Sequence, residues 1–254
     1  MSRRIWLTGA SSGIGAALAE QLLQAGHRLA VSARSEAPLQ VLAARYPGQV
    51  LVLAGDLSDA AQVRAIGAAI HAQWGALDTL IVNAGTCEYL EVRDFQAAMI
   101  ERVMRANLFS ASYCIEAALP LLRAGIKPHL AGVSSSVTYL PLPRAQAYGA
   151  SKAALRYLLE ALRIDLAAEG IDVTVISPGF VDTPLTQKND FPMPLRWSAA
   201  KAAAHIAKRL EQRPLEIAFP GVFIAILWLL AHLPKRLQLS IGKRMARSSA
   251  KEPL

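Results

Sequence analysis

The segment that decides the fold follows a short apolar run at the start of the chain and reads Thr8-Gly9-Ala10-Ser11-Ser12-Gly13-Ile14-Gly15. A run rich in alanine and leucine comes directly after it and stops at Gly26. Glycines between a strand and a helix permit a tight turn and the close approach of a pyrophosphate, which the N–H groups and the dipole of the helix N-terminus attract. The glycine spacing differs from the usual dinucleotide fingerprint, but strand, turn and helix in this order predict a dinucleotide site.

Short β-rich runs alternate with longer runs at helical spacing through the rest of the chain, which is typical of βαβ units. We predict seven strands, at Arg3–Thr8, Arg28–Ala33, Val50–Ala54, Asp78–Val82, His129–Ser134, Asp172–Ser177 and Leu215–Phe219. Their continuous apolar character is expected of strands covered by helices on both faces. The clearest helix begins near Tyr148 and ends before Gly170, whereas the prolines between Thr183 and Trp197 predict irregular chain. The sequence predicts an α/β fold, a Rossmann-type doubly wound parallel sheet in a single domain.

The composition is that of an ordinary globular protein, with 254 residues of which 53% are hydrophobic and 18% are charged. The two cysteines, Cys87 and Cys114, are too few for a disulfide framework, so we expect reduced thiols and a cytoplasmic protein. Glycines and serines interrupt the apolar N-terminal stretch, which argues against a signal peptide. The five histidines show no ligand spacing, and we expect no metal site.

The net charge of +8 is concentrated near the C-terminus. Residues 234–254 contain six basic side chains and one carboxylate and carry +5, whereas the other 233 residues carry only +3. A broad electropositive surface of the kind that binds nucleic acid is therefore not expected.

The end of the second predicted strand indicates which cofactor the site prefers. Sites for NAD usually carry a carboxylate there, which binds the ribose 2′-hydroxyl, but this chain has Ala33. The next residue, Arg34, can pair with a 2′-phosphate, because a guanidinium matches two phosphate oxygens at once. We therefore expect NADP(H) rather than NAD(H), and the alternative is that Arg34 is a solvated surface residue.

A tyrosine and a lysine stand four residues apart at the start of the strongest predicted helix. Tyr148 and Lys152 therefore lie on the same face, one turn apart. An unperturbed phenol has a pKa of about 10, and a neighbouring ammonium lowers that pKa by stabilising the phenolate. Ser135 follows the fifth predicted strand, at the carboxyl edge of the sheet where doubly wound folds bind ligands.

Taken together, these motifs resemble those of the classical short-chain dehydrogenase/reductase family over residues 3 to about 220. The resemblance rests on the glycine segment, Asp56, Asn83-Ala84-Gly85, Asn107, Ser135, Tyr148-x-x-x-Lys152 and Pro178-Gly179, in the family's order and approximate spacing. It implies an oxidoreductase that transfers a hydride between a nicotinamide and a carbonyl or secondary alcohol. It also implies a homo-oligomer, either a dimer or a tetramer.

The resemblance implies a role for each matching residue. Ser135 would hydrogen-bond the substrate carbonyl, Tyr148 would donate the proton on reduction, and Lys152 would hold the nicotinamide ribose and lower the Tyr148 pKa. Asn107 would keep a water in line with Lys152 for proton relay, and the alternative is a buried structural amide. The implied cofactor-binding residues are Thr8, Gly9, Ser11, Ser12, Gly13, Ile14, Gly15, Arg34, Asp56, Leu57, Asn83, Ala84, Gly85, Tyr148, Lys152, Pro178, Gly179, Val181 and Thr183.

The chain departs from the family's pattern after residue 220. Residues 222–233 are apolar on every side but too few for an independent membrane span, which needs about 20 residues. The stretch 235–247 places Leu237, Ile241 and Met245 on one face and basic residues opposite, as in a helix that lies on anionic lipid. We expect a catalytic domain over residues 1–220 and an apolar, then basic, helical extension over 221–254. Four alternatives for this extension stay open: it contacts the inner membrane surface, it caps the substrate cleft, it joins subunits or it spans a membrane.

An apolar cap predicts a large apolar substrate, such as a fatty, steroid-like or polycyclic ketone or alcohol. Phe191, Met193, Leu195 and Trp197 would form a lid over it, and the alternative is that Met193 and Trp197 pack locally. We therefore predict an NADP(H)-dependent carbonyl reductase or alcohol dehydrogenase. One alternative is the reduction of a 3-oxoacyl thioester on an acidic carrier protein; the others are a non-catalytic protein that senses NADPH and a peripheral membrane protein that acts through its tail.

Overall fold

A computed structural model describes residues 2–189 and 191–246. The strands within these ranges are β1 (Arg4–Thr8), β2 (Arg28–Ser32), β3 (Val50–Val52), β4 (Thr79–Val82), β5 (His129–Val133), β6 (Asp172–Pro178), β7 (Val181–Asp182), β8 (Trp197–Ser198) and β9 (Glu216–Phe219). The α-helices are α1 (Gly13–Gln24), α2 (Glu36–Arg45), α3 (Ala60–Trp74), α4 (Ala97–Met104), α5 (Ser110–Arg123), α6 (Gln146–Ala167), α7 (Ala199–Leu210), α8 (Gly221–Ala231) and α9 (Lys235–Met245).

Seven of the strands form one parallel sheet in the order β3-β2-β1-β4-β5-β6-β9, and the short strands β7 and β8 pair separately. Because β1 pairs with both β2 and β4, the chain winds outward in two directions from this point. Ligands of doubly wound sheets bind at such a switch point, outside the carboxyl ends of the strands. The predicted single-domain, doubly wound fold is confirmed.

The sheet is buried on both faces, and β1 shows how. Ile5 and Leu7 pack in an apolar cluster with residues of α1, α2 and α7 on one face. Trp6, which lies between them, packs with residues of α3, α5 and α6 on the other face. Successive side chains of a strand point to opposite faces, so burial on both sides requires the continuous apolar runs seen in the sequence.

Most strand boundaries lie within two residues of those predicted, and the differences have local causes. α1 begins at Gly13, inside the glycine segment, because the N–H of Ala16 already bonds to the main-chain oxygen of Ser12 at 3.1 Å. The described residues of the stretch 183–197 are largely irregular, as predicted, apart from a turn at Thr186–Lys188. Its last residue, Trp197, belongs to β8 because its N–H bonds to the main-chain oxygen of Phe180 at 3.0 Å.

The predicted helical extension is present as α8 and α9. On α8, Phe223 and Leu227 are buried against Leu140, which follows β5. No residue of α9 is buried. Within residues 2–189 and 191–246, no helix is long and apolar enough to cross a membrane. The final part of the predicted basic tail, from Arg247 onward, lies outside the described residues.

Candidate active site

The turn between β1 and α1 is too crowded for side chains at two of its glycines. Gly9 has a φ of +67°, and a Cβ there would lie 2.8 Å from the Cα of Ala84. A Cβ at Gly15 would lie 2.1 Å from the main-chain oxygen of Gly9. At the N-cap of α1, Ser12 makes no side-chain hydrogen bond to the helix. The turn therefore offers backbone N–H groups at a helix N-terminus, which is the arrangement that binds a pyrophosphate.

Thr8 joins this turn to the loop after β4. Its Oγ1 accepts hydrogen bonds from the N–H of Asn83 at 2.9 Å and from the N–H of Ala84 at 3.0 Å. Nδ2 of Asn83 in turn donates to the main-chain oxygen of Thr8 at 3.0 Å. Thr8 is buried and does not line the cleft, so the structure places it behind the predicted cofactor contacts rather than among them.

A cleft of about 710 Å³ runs along the carboxyl edge of the sheet. Apart from Thr8, all the predicted cofactor residues line it: Gly9, Ser11, Ser12, Gly13, Ile14, Gly15, Arg34, Asp56, Leu57, Asn83, Ala84, Gly85, Tyr148, Lys152, Pro178, Gly179, Val181 and Thr183. The crowded glycine turn and the residues that line the cleft fit a dinucleotide.

Arg34 lies in the cleft wall just beyond β2, where it is exposed to solvent. The preceding residue, Ala33, offers no carboxylate, and Ser35 stands at the N-terminus of α2. Arg34 makes no ion pair within residues 2–189 and 191–246. Its guanidinium is thus available to an anion, and the adjacent helix N-terminus favours the same charge.

Ser135, Tyr148 and Lys152 meet in the same cleft. Ser135 precedes the short turn Ser136–Thr138, and its Oγ accepts a hydrogen bond from the N–H of Val137 at 3.2 Å. Tyr148 and Lys152 lie in the first turns of α6. Oγ of Ser134 donates to the main-chain oxygen of Lys152 at 3.0 Å, which fastens the end of β5 to this helix.

Burial sets the proton affinities of the two α6 side chains. It raises the pKa of Tyr148 to about 12, and the neighbouring Cys87 adds to the rise whereas a hydrogen bond with Ser135 opposes it. It lowers the pKa of Lys152 to about 8, an effect that Cys87 partly offsets. Tyr148 therefore holds its proton at neutral pH.

Lys152 was expected to lower the Tyr148 pKa, but it is not among the groups that shift this pKa. Nζ of Lys152 donates to the main-chain oxygen of Val133 at 2.8 Å and lies 6.0 Å from the centre of the Tyr148 ring. The ammonium is thus held by a carbonyl beside the ring, and burial is the largest influence on the Tyr148 pKa.

Asn107 lies in a π-helical turn, Arg105–Phe109, that connects α4 to α5. It is fully buried, and its Oδ1 accepts a hydrogen bond from the N–H of Thr86 at 2.7 Å. Its Nδ2 donates to the main-chain oxygen of Thr86 at 2.9 Å and to Oγ of Ser151 at 2.8 Å. The amide thus ties the loop after β4 to α6, next to Lys152, and does not line the cleft. The predicted water relay stays a prediction.

Two residues that the sequence analysis did not select as site residues lie near Tyr148 and Lys152. Cys87 interacts electrostatically with both Tyr148 and Lys152, and burial raises the pKa of its thiol. Tyr89 hydrogen-bonds Cys87 and donates to Oδ1 of Asn189 at 2.7 Å. Their position directly after Asn83-Ala84-Gly85, at the carboxyl end of β4, could have identified them as site residues.

An aromatic chain runs from Tyr89 to α8. The ring of Phe191 lies 5.5 Å from that of Tyr89 and 6.1 Å from that of Phe180. Phe180 in turn lies 5.4 Å from Phe223 of α8. These rings connect the surroundings of Tyr148 with the C-terminal extension.

Trp197 does not join this chain, contrary to the expectation that it forms part of a lid. Its ring stacks on Phe219 of β9 with the centroids 5.0 Å apart, and His205 of α7 packs against both rings. Trp197 therefore packs locally against the core, whereas Phe191 remains near the site.

A partly buried ionic network braces the back of the site. Arg156, one turn after Lys152 on α6, pairs with both carboxylate oxygens of Glu216 at 2.7 and 3.0 Å. Oγ of Ser177 donates to the same carboxylate at 2.6 Å, and the hydroxyl of Tyr139 also bonds it. Burial alone would raise the pKa of Glu216, but these hydrogen bonds hold it below its ordinary value. The network joins α6, β6, β9 and the loop after β5.

Comparison with known proteins places this fold and site in one family. The family model described as short chain dehydrogenase matches residues 3–193. An uncharacterized oxidoreductase of Myxococcus xanthus is 34% identical over 86% of this chain and 87% of its own. A short-chain dehydrogenase structure from Streptomyces avermitilis superposes with a TM-score of 0.84 at 26% identity, covering 96% of this chain and 97% of that one. A structure described as a Pseudomonas aeruginosa RhlG/NADP active-site complex has a TM-score of 0.79 at 30% identity, covering 87% and 96%.

The chain belongs to the short-chain dehydrogenase family. It is an oxidoreductase with a Rossmann fold, and members of its family bind a nicotinamide cofactor and act on small-molecule substrates.

Proposed function

We propose that this enzyme is an NADP(H)-dependent reductase of large apolar ketones or aldehydes, which also oxidises the corresponding alcohols. The observation that carries the proposal is the meeting of Ser135, Tyr148 and Lys152 in one cleft whose far end carries Arg34. A bound nicotinamide supplies the hydride, and the protein supplies orientation and a proton.

The three catalytic side chains have complementary tasks in this proposal. Hydride transfer to a carbonyl leaves negative charge on its oxygen, and hydroxyl donors aimed at that oxygen stabilise the charge as it forms. Tyr148 carries a proton at neutral pH because its pKa is about 12, so it serves as the acid. Ser135 holds the substrate oxygen, and Lys152 binds the nicotinamide ribose and lowers the Tyr148 pKa once the site is assembled.

The preference for NADP(H) rests on Arg34. An exposed guanidinium next to the N-terminus of α2 suits a 2′-phosphate, and Ala33 offers no carboxylate to a 2′-hydroxyl. The resemblance to a structure described as an NADP complex supports the same choice. Cells keep NADPH largely for reduction, which favours reduction as the physiological direction.

The preference for a large apolar substrate rests on the aromatic chain. It begins at Tyr89, which interacts with Tyr148, and continues through Phe191 and Phe180 to Phe223. These rings adjoin the cleft near Tyr148 rather than line it, and a substrate that extends towards them would meet apolar contact area but few hydrogen-bonding groups, as in sites for apolar ligands.

The test is NADPH oxidation with a panel of ketones and aldehydes graded by chain length and ring number. We expect kcat/KM to rise with apolar size, and Tyr148→Phe to lower kcat by about 10² to 10⁴-fold because it removes the general acid. Tyr157→Phe is the matched control, since Tyr157 lies on the same helix but is 77% exposed. We expect that variant to behave as the parent.

Binding of NADPH, followed by its fluorescence, separates the outcomes. Tight binding without turnover of any free substrate would contradict the proposal and favour a carrier-bound 3-oxoacyl thioester or an NADPH sensor. Equal activity of Tyr148→Phe and the parent would show that another group supplies the proton.

Three further expectations stay predictions. They are a homo-oligomer, a cytoplasmic location, and the division into a catalytic domain over 1–220 and an extension over 221–254. The last is supported by the start of α8 at Gly221.

A further inference from the structure

The outer face of α8 is apolar and exposed. Val222, Ile226 and Leu229 form a stripe at helical spacing and are 66%, 46% and 61% exposed. Trp228, at the edge of this stripe, is 53% exposed, packs on His232 and borders a groove shared with α7 and β9. A cluster of large exposed side chains on one short helix differs from the isolated apolar residues that are normal on protein surfaces. We call these four residues the outer face.

The orientation of this face is fixed by the opposite side of the helix. Phe223 and Leu227 are buried in a cluster with Leu140, and Phe223 also packs on Phe180. Rotation of α8 to hide the outer face would expose these side chains instead. The outer face therefore stays in contact with whatever surrounds the protein.

α9 continues the exposed surface and adds positive charge. Nε2 of Gln238 donates to the main-chain oxygens of Ala231 and Leu233, both at 2.8 Å, which fixes the turn between the two helices. Leu237 and Met245 are about half exposed on one side of α9, and Lys235, Arg236, Lys243 and Arg244 complete its surface. Residues 221–246 contain these four cations and no carboxylate.

We propose that α8 and α9 form a docking surface for an anionic lipid bilayer. Exposed leucine, isoleucine and tryptophan side chains can enter the boundary between headgroups and acyl chains, while the neighbouring cations pair with anionic headgroups. Tryptophan is the side chain most suited to that depth, because its ring is apolar and its N–H can remain hydrated. The helices lie on the membrane, as neither is long enough to cross it.

The charge pattern favours lipid over a second copy of the chain. In a two-fold symmetric contact the surface meets its own image, so every ionised Lys, Arg, Asp or Glu side chain that it brings into the contact is a cation. With no carboxylate in residues 221–246, such a contact has no compensating charge within this surface. An anionic bilayer supplies that charge at every position.

The proposal is independent of turnover and is tested by flotation of the full-length protein with vesicles. Vesicles that contain phosphatidylglycerol should bind it, vesicles of pure phosphatidylcholine should bind it much more weakly, and high salt should release it. The double change Lys243→Gln with Arg244→Gln should weaken binding about five-fold for each lost cation. Ile226→Gln with Leu229→Gln should weaken it by about ten-fold or more, because two apolar anchors are lost.

Matched variants elsewhere on the surface distinguish docking through α8 and α9 from non-specific binding to vesicles. Val41→Gln with Ile126→Gln removes two similarly exposed apolar side chains, and Arg64→Gln with Lys208→Gln removes two exposed cations. Both should bind as the parent does. All variants should keep the parent's circular dichroism and melting temperature, because the changed side chains are exposed.

Three results would overturn the proposal. They are failure of the parent to float with anionic vesicles, equal loss of binding in the control variants, and conversion of a dimer to a monomer by the α8 change without any loss of vesicle binding. Light scattering of the same samples detects the last.

Discussion

Arg34 is the residue whose chemistry distinguishes one nicotinamide cofactor from the other. A hydrogen bond between charged groups is worth about 1.5–3 kcal/mol, so its loss should weaken NADPH binding about ten-fold to a hundred-fold. We predict this increase in the KM for NADPH for Arg34→Ala, with little change in the KM for NADH. Steady-state kinetics with both cofactors measures it.

Arg64→Ala is the control for this prediction, since Arg64 is an exposed arginine on α3 that does not line the cleft. An equal rise of both KM values in Arg34→Ala would show that Arg34 contacts a part common to the two cofactors. No rise in either would make it the solvated surface arginine of the alternative interpretation.

A site residue could be predicted from the sequence when its chemistry depends on its own type and on its spacing from its neighbours. Tyr148 and Lys152 share a helix face, and local spacing determines that. Thr8 was expected to contact the cofactor, but its hydrogen bonds with Asn83 and Ala84 hold it behind the cleft. Asn107 is held there by Thr86 and Ser151, and its water relay stays a prediction. The pKa of Tyr148 was missed for a similar reason, since burial depends on distant parts of the chain.

The strands and helices that can be predicted from the sequence are those with a hydrophobic pattern of their own. The bounds of the main-sheet strands and of α6 lie within about two residues of those predicted, because continuous apolar runs mark buried strands and a helical apolar period marks α6. The pair β7–β8 and the π turn at Arg105–Phe109 were not predicted, because both are short and depend on a few backbone contacts. In the π turn the N–H of Ser110 bonds to the main-chain oxygen of Arg105, five residues back, and no residue type requires this.

Glu216 shows how one carboxylate holds several elements together. Glu216→Gln would leave the partly buried Arg156 with only Glu160 as a charge partner, and we predict a loss of about 2 kcal/mol in the free energy of unfolding. That value is below the usual cost of breaking a buried pair because the Glu216 side chain is 28% exposed. Urea unfolding measures the loss.

Glu160→Gln is the matched control, because Glu160 pairs with the same Arg156 at 2.9 Å but is 40% exposed. Its loss should be less than about 0.5 kcal/mol, as for other exposed pairs within one helix. Equal losses in the two variants would mean that Glu216 contributes no more than a surface charge.

On the scale of the whole molecule, the candidate active site and a carboxylate that we expect to stabilise the fold lie at opposite edges of the sheet. The cleft lies at the carboxyl ends of the strands, whereas Asp78 stands at the amino end of β4. Oδ2 of Asp78 accepts from the N–H of Arg4 at 2.8 Å, and its Oδ1 pairs with the Arg4 guanidinium at 2.7 Å. Oδ1 also accepts from the N–H of Ile126 at 2.8 Å, so one carboxylate joins β1 and β4 to the segment before β5.

Asp78 should therefore control the acid stability of the fold without affecting its chemistry. Burial alone would raise the pKa of Asp78, but the hydrogen bonds from Arg4 and Ile126 lower it below its ordinary value. A group whose pKa is lower in the folded state stabilises the fold above its unfolded pKa, and this stabilisation is lost as pH falls through the folded pKa. Asp78→Asn should thus cost about 3 kcal/mol near neutral pH, and the difference from the parent should shrink below about pH 4. Urea unfolding across this range measures both effects, with Asp165→Asn on the exposed side of α6 as the control.

Because Asp78 is at the edge opposite Tyr148, the kcat/KM of Asp78→Asn at neutral pH should match that of the parent. A large loss of activity in a folded Asp78→Asn would show that the two edges are coupled.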